Sequence, residues 1–225
     1  MISTKKTFLV SGLLALACLA SGGCRSFHPA DTAIGPGHWV SNVHQANRKL
    51  AKDIRRVAVL PVTCDRSDAD MEAGRETLDA LIREELGKTR KFQVVTVSPE
   101  DLLAWTGRKS WTAEEVLPRT VLPVLREKLG CDAVLFSRVT QFRPYPPLAV
   151  GLDLKLVVAG DAEQIWVLDE VFDAGDPSVA VSARRFHQDR DPMPAALADS
   201  RTVLVSPTEF GRYAANAAFE TLPAR

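Results

Sequence analysis

Between residues 148 and 158, apolar side chains fall on every second position. Leu148, Val150, Leu152, Leu154, Leu156 and Val158 alternate with residues that include Asp153 and Lys155. A period of two belongs to an extended strand, whose successive side chains point to opposite faces. Ala159-Gly160-Asp161 supplies turn residues, and residues 163–172 read as a returning strand. The expectation is an antiparallel hairpin with one buried face and one face toward water. Any fold for this chain must provide a sheet for that hairpin to join.

Upstream, the pattern changes from alternation to continuous apolar runs. Residues 55–62, Arg-Arg-Val-Ala-Val-Leu-Pro-Val, have strand length and no polar face, which predicts a strand covered on both sides. A polar loop over 63–70 leads to a helix with Leu78, Leu81, Ile82 and Leu86 on one stripe, and Gly87 is placed to end it. Residues 92–97 form the second strand, after which Ser98-Pro99 has the form of an N-cap followed by proline at the first helical position. Thr112 and Glu115 have capping-box spacing for a further helix through Leu117, Val121, Val124, Leu125 and Leu129, broken or kinked at Pro118 and Pro123 and ended by Gly130. The third strand covers 133–141. After the hairpin, Asp176-Pro177 starts a helix running to about residue 188, a Pro- and Ala-containing connection covers 189–199, and Ser206-Pro207-Thr208-Glu209 opens a last helix with Phe210, Tyr213, Ala214 and Ala217 on its stripe. The fold class is therefore α/β, a three-layer-like mixed sheet with helices, ending in a β-hairpin and C-terminal helices.

The N-terminus carries a different kind of signal. Lys5 and Lys6 precede an apolar run over 8–20, and Ser21-Gly22-Gly23-Cys24 follows. A basic start, a short apolar stretch and small residues before a cut site describe a secretory signal peptide. The run is shorter than the ~20 residues that a membrane span needs. Small residues directly before Cys24 resemble a bacterial lipobox, in which the thiol is acylated and becomes the new N-terminus. Ser21 stands where lipoboxes commonly have Leu. Cys18, after Ala15-Leu16-Ala17, is an alternative that cuts the apolar run short, and a signal peptide with an incidental cysteine is another. The domain reading is signal peptide 1–23, lipidated N-terminus and flexible tether 24–54, α/β domain 55–188, and C-terminal extension 189–225. Within the tether, Gly35-Pro36-Gly37 interrupts regular structure, and a helix is possible over 45–56.

The chain has 28 basic and 28 acidic residues, and only Lys5 and Lys6 fall before Cys24. That balance gives no electrostatic reason to expect a nucleic-acid partner. Cys64 and Cys131 lie at opposite ends of neighbouring strands, too far apart for a disulfide, so two separate thiols are expected.

Residues 56–61, Arg-Val-Ala-Val-Leu-Pro, resemble the opening strand of the TolB N-terminal / LpoB / CsgG-like superfamily of bacterial envelope proteins. Residues 91–95, Lys-Phe-Gln-Val-Val, are similar to its second strand, and residues 129–135, Leu-Gly-Cys-Asp-Ala-Val-Leu, to the entry of its third, with Cys131 replacing the usual Ala. Gln164-Ile165-Trp166 resembles a motif on a late strand. The resemblance covers about residues 55–187. It implies a non-enzymatic accessory, scaffold or regulatory lipoprotein that needs no cofactor. It further implies a lipid anchor in a membrane and contacts with an envelope protein of unspecified identity. Arg25, rather than Asp, after the cysteine points toward the outer membrane, at its periplasmic face.

Several residues admit other chemistry. Asp65, Asp68, Asp70 and Glu72 could be read as a calcium site, but the spacing lacks an EF-hand loop and fits acids at a helix start better. His28, His38 and His44 lack metal-site spacing, and His187 stands alone beside Arg184 and Arg185. Asp169, Glu170 and Asp173 are the carboxylates that a hydrolase reading would use. A CsgG-like secretion pore is the other alternative, because the hairpin has the length of membrane strands. For partner contact, Tyr145, Pro146 and Pro147 in a Pro-rich loop and Trp166 on the return strand are the candidates.

Overall fold

The computed structural model describes residues 33–65, 68–190 and 200–225. The expected signal peptide, Cys24, His28 and most of the 189–199 connection lie outside the described residues. Seven strands form one open mixed sheet. In chain order they are β1 (Val43–Gln45), β2 (Arg56–Val59), β3 (Thr63–Cys64), β4 (Gln93–Thr96), β5 (Ala133–Arg143), β6 (Ala149–Val158) and β7 (Gln164–Asp173). Their spatial order is β1-β7-β6-β5-β2-β4, with β3 pairing alongside β5. The β2, β4 and β5 contacts are parallel, whereas β5, β6, β7 and β1 run antiparallel in succession. The five helices among the described residues are α1 (Ala69–Lys88), α2 (Pro99–Thr106), α3 (Val121–Leu129), α4 (Pro177–Arg190) and α5 (Pro207–Glu220).

The continuous run at β2 has the cause its sequence suggested. β2 is flanked by β5 and β4 and buried on both faces. Val57 and Val59 face a large core with Leu78 and Ile82 of α1, Val179 of α4 and Phe210 and Ala214 of α5. Ala58 and Leu60 face a smaller core with Leu102 of α2, Leu125 of α3 and Trp111. Two apolar layers on one sheet make the three-layer arrangement. Asp132 fixes the relative start of two of its strands. One carboxylate oxygen accepts the backbone N–H groups of Arg55 at 2.9 Å and Arg56 at 2.8 Å.

Helix ends follow local chemistry, with two departures. Asp68 caps α1 by accepting the Met71 N–H at 2.8 Å, and Ser98 and Ser206 cap α2 and α5 in the same way, each before a proline. Gly130 ends α3 in the left-handed conformation, at φ 60°. α1, however, does not stop at Gly87. It continues to Lys88 because the Thr89 hydroxyl donates to the Leu86 carbonyl at 2.7 Å, and Arg90 takes the left-handed turn instead. The capping box at Thr112 forms its reciprocal contact, the Glu115 carboxylate accepting the Thr112 N–H at 2.7 Å, yet no helix follows until Val121. Pro118 has no N–H to give and disfavours a helical residue before it, so that segment is a loop.

Three other expectations are corrected. The hairpin is present, but β6 is not half-exposed: eight of its ten residues are buried, because helices and the 111–117 loop cover its second face. The hairpin's place within a sheet packed on both sides removes the argument from strand length for a membrane pore. The tether does not run free to residue 54. Val43–Gln45 pairs with β7 in place of the helix considered over 45–56, and Leu50 and Ile54 are buried. Nor is the last helix an appendage. Phe210, Tyr213, Ala214, Ala218 and Phe219 all belong to the large core, so Ala33–Arg225 is one unit.

A charged clamp closes the helical layer. Glu85 of α1 is buried, and its carboxylate meets Lys88 at 2.7 Å, Arg212 of α5 at 3.2 Å and Arg190 of α4 at 3.3 Å. Removing the carboxylate takes this partner from Arg190, while Lys88 and Arg212 keep Glu84 at 2.5 and 2.6 Å. Glu85→Ala is therefore expected to cost about 2 kcal/mol, the scale of lost charge-assisted hydrogen bonds, read from the urea midpoint. A loss below about 1 kcal/mol, the scale of a surface pair, would show that the clamp is not structural.

Candidate functional site

The candidate interaction loop lies at one end of the hairpin, between β5 and β6. Tyr145 is 68% exposed, and Pro146 and Pro147 are exposed beside it. The loop is held at its base. The Arg143 guanidinium donates to the Pro147 carbonyl and pairs with Asp173 at 2.7 Å. Asp173 also accepts the Gly175 N–H at 2.8 Å, and the Ala174 N–H reaches the Leu148 carbonyl at 2.8 Å. An exposed aromatic ring on a braced loop loses little entropy when it meets a partner. Trp166 does not join it. Its ring is fully buried against Phe219, and its indole N–H donates to the Thr221 hydroxyl at 3.0 Å, so it is a core residue and no surface anchor.

The carboxylates weighed for hydrolysis are not aimed at one another. Asp173 braces the loop just described. Glu170 accepts the backbone N–H groups of Ser41 and Asn42 at 3.0 and 3.1 Å and lies 3.6 Å from His38. Asp169 lies on the opposite face of β7 and is exposed. The acidic group after β2 is likewise divided. Asp65 pairs with Arg138, Asp68 caps α1, and Glu72 binds Arg75. His44 is exposed on β1 and His187 lies on α4, so the described histidines do not converge. Cys64 and Cys131 are not joined in a disulfide; the Cys64 thiol donates to the Glu72 carboxylate, and burial raises the pKa of the Cys131 thiol.

Sequence reading placed Asp153 and Lys155 on a water-facing side, and this missed a polar constellation joining β5, β6 and a loop. Asp153 is 6% exposed in the middle of β6. Arg138 of β5 reaches Asp153 at 2.8 Å, Asp65 at 2.8 Å and Glu114 at 2.5 Å, and Lys155 meets Glu114 at 3.1 Å. Three carboxyls thus share two cations. Burial pushes the Asp153 carboxyl up to about 6, helped by its hydrogen bond with Glu114, while that same bond lowers Glu114. The enclosed space is about 10 Å³, lined by Thr63, Ser137 and these charged groups. It has room for about one water and none for an organic ligand. This is a clip that fastens the 112–117 loop to the sheet. A second, open groove of about 300 Å³ beside Lys91 and Phe219 is crossed by the Lys91 ammonium, which donates to the Leu222 and Pro223 carbonyls at 2.6 and 3.1 Å.

Comparison with known proteins adds distant likenesses. No family model matches the chain, and no curated protein matches it. Among solved structures, PelC from Paraburkholderia phytofirmans, described as a dodecamer, is similar at TM-score 0.42 and 12% identity, over 81% of this chain and 96% of that one. Lipoprotein GNA1162 from Neisseria meningitidis is similar at TM-score 0.40 and 15% identity, over 61% and 99%. The LpoB C-terminal domain from Salmonella enterica is similar at TM-score 0.34 and 21% identity, over 54% and 86%.

The raised Asp153 pKa makes a signed prediction. Between its ordinary value of 3.8 and about 6, the folded protein holds a proton that the unfolded chain has released. Its contribution to stability is therefore full below about pH 4 and lost as pH rises through 6. In urea titrations across pH 4–7, wild type should lose stability relative to Asp153→Asn as the pH rises. Parallel stability curves for the two proteins would contradict the assignment.

Proposed function

We propose that this chain is a lipid-anchored, non-enzymatic accessory of the bacterial cell envelope, whose α/β body works by contact with another envelope protein. The N-terminal run that ends at Ser21-Gly22-Gly23-Cys24 carries the reading. A secretory start that finishes on a cysteine sends the mature chain out of the cytoplasm and supplies the thiol for acylation at Cys24. Arg25 favours the periplasmic face of the outer membrane as the destination. The motifs over 56–61, 91–95 and 129–135 support the superfamily resemblance, because in the fold they lie along or at the entrances of β2, β4 and β5, three neighbouring parallel strands.

Contact with the partner is assigned to the 144–147 loop, with Tyr145 as the anchor and Pro146 and Pro147 limiting its freedom. An accessory role also fits the carboxylates at 169–173, of which Glu170 and Asp173 hold neighbouring backbone and side chains in place. The anchor is tested by Cys24→Ser, which should release the protein from membranes and remove the acyl mass. Unchanged retention and mass would refute it. The contact is tested by crosslinking in intact envelopes. Tyr145→Ala should reduce capture of the partner by about tenfold, a hot-spot effect, without lowering the unfolding midpoint. Equal capture from wild type and variant would remove the loop from the interface.

A further inference from the structure

The stretch before β1 is laid along the body by specific contacts. Arg185 of α4 donates to the carbonyls of Ala33, at 3.2 Å, and Gly35, at 2.7 Å. The His38 N–H donates to the Ser182 hydroxyl at 2.8 Å, and the Ser41 and Asn42 N–H groups reach Glu170 of β7. The His38 ring meets the Phe172 ring edge-on, with centroids 5.7 Å apart. Residues 33–42 therefore form a strap that spans from α4 to the β7 edge.

Two large apolar side chains on this strap point outward. Ile34 is 78% exposed and Trp39 87% exposed, while the backbone on either side of Trp39 is tied down. Trp is costly to leave in water and suits the boundary between headgroups and acyl chains, where its ring is apolar and its N–H stays wet. The position of this apolar group relative to the anchor decides what covers it. Nine Cα–Cα steps separate Cys24 from Ala33, a reach of about 30 Å when fully extended. The strap is the part of the body closest in sequence to Cys24, and its contacts with α4 and β7 hold it to the head.

We infer that the strap is a bilayer-contact surface, with Ile34 and Trp39 entering the lipid interface. This rests on the lipid-anchor reading for its orientation. The head then does not swing freely at the end of a long tether. One acyl attachment and a few interfacial side chains act together, so the second contact forms at high effective concentration once the first is made.

The test separates this surface from acylation itself. The chain from residue 24 onward carries an N-terminal histidine tag in place of the acyl group and is tethered to vesicles of phosphatidylethanolamine and phosphatidylglycerol that contain a nickel-chelating lipid. Trp39 emission is read as the difference between the protein and its Trp39→Phe variant. With brominated acyl chains in the vesicles, Trp39 should lose about half its emission and shift to the blue, and Ile34→Ser should weaken that quenching. Unchanged emission that stays open to aqueous iodide overturns the inference. Shielding from iodide already present before vesicles are added also overturns it, since a second copy of the chain would then be the occupant. A native protein found unmodified at Cys24 would refute the anchor and leave this tethered measurement standing on its own result.

Discussion

β6 has no side that faces bulk water, and much of the structure follows from that constraint. It lies between β5 and β7, with the large core on one face and the smaller core and the 111–117 loop on the other. Apolar residues satisfy the first face at no polar cost. On the second face, Gly151 and Asp153 each need an accommodation. A side chain at Gly151 would run into Thr140 and the Gln141 backbone, where β5 shifts register between Val139 and Gln141. The absent Cβ therefore lets the bulge and the strand pack directly. Asp153 is paid for by Arg138, which in turn gathers Asp65 and Glu114. One buried carboxyl thus determines where a loop distant in sequence comes to rest.

The same logic of compensated polar groups joins the helical layer. Glu85 binds cations from its own helix, from α4 and from α5, so three segments distant in sequence meet at one carboxylate. Close backbone approach adds to it. Gly74 lets α1 come down on Phe142 of β5, where any side chain would collide with that ring. Large apolar side chains meet solvent at Tyr145 in the 144–147 loop and at Ile34 and Trp39 in the strap, and singly at Leu103, Val116, Val171 and Val205. The proposed protein contact and the proposed lipid contact use the loop and the strap.

Much of this was legible in the sequence, for reasons that differ by element. The β2 run, the β6 alternation and the caps at Ser98 and Ser206 are local signals, and the fold keeps them. What was illegible depended on contacts between remote residues. Alternation at Asp153 and Lys155 says only that they share a face, and it cannot say that a loop forty residues upstream will cover that face. β1 is three residues long and has weak strand character, so its pairing with β7 is decided by the partner edge and by Glu170. Trp166 is a candidate for an interface or a core from sequence, the core being the commoner place for a Trp on a half-buried strand, and Thr221 and Phe219 enclose it. Trp39 carried no periodic pattern at all, and it stands out only because its neighbours are pinned.

The central claim is that residues 33–54 are docked on the body, so that no free tether separates Ala33 from the sheet. Hydrogen exchange of the full-length protein tests this most directly. The Ala46 amide, bonded to the Ile165 carbonyl at 3.1 Å, and the Leu50 amide, bonded to Ala224 at 2.8 Å, should be protected to a degree comparable with the edges of the sheet. Exchange of both at the rate of an unstructured peptide would contradict the account and restore a free tether up to β2.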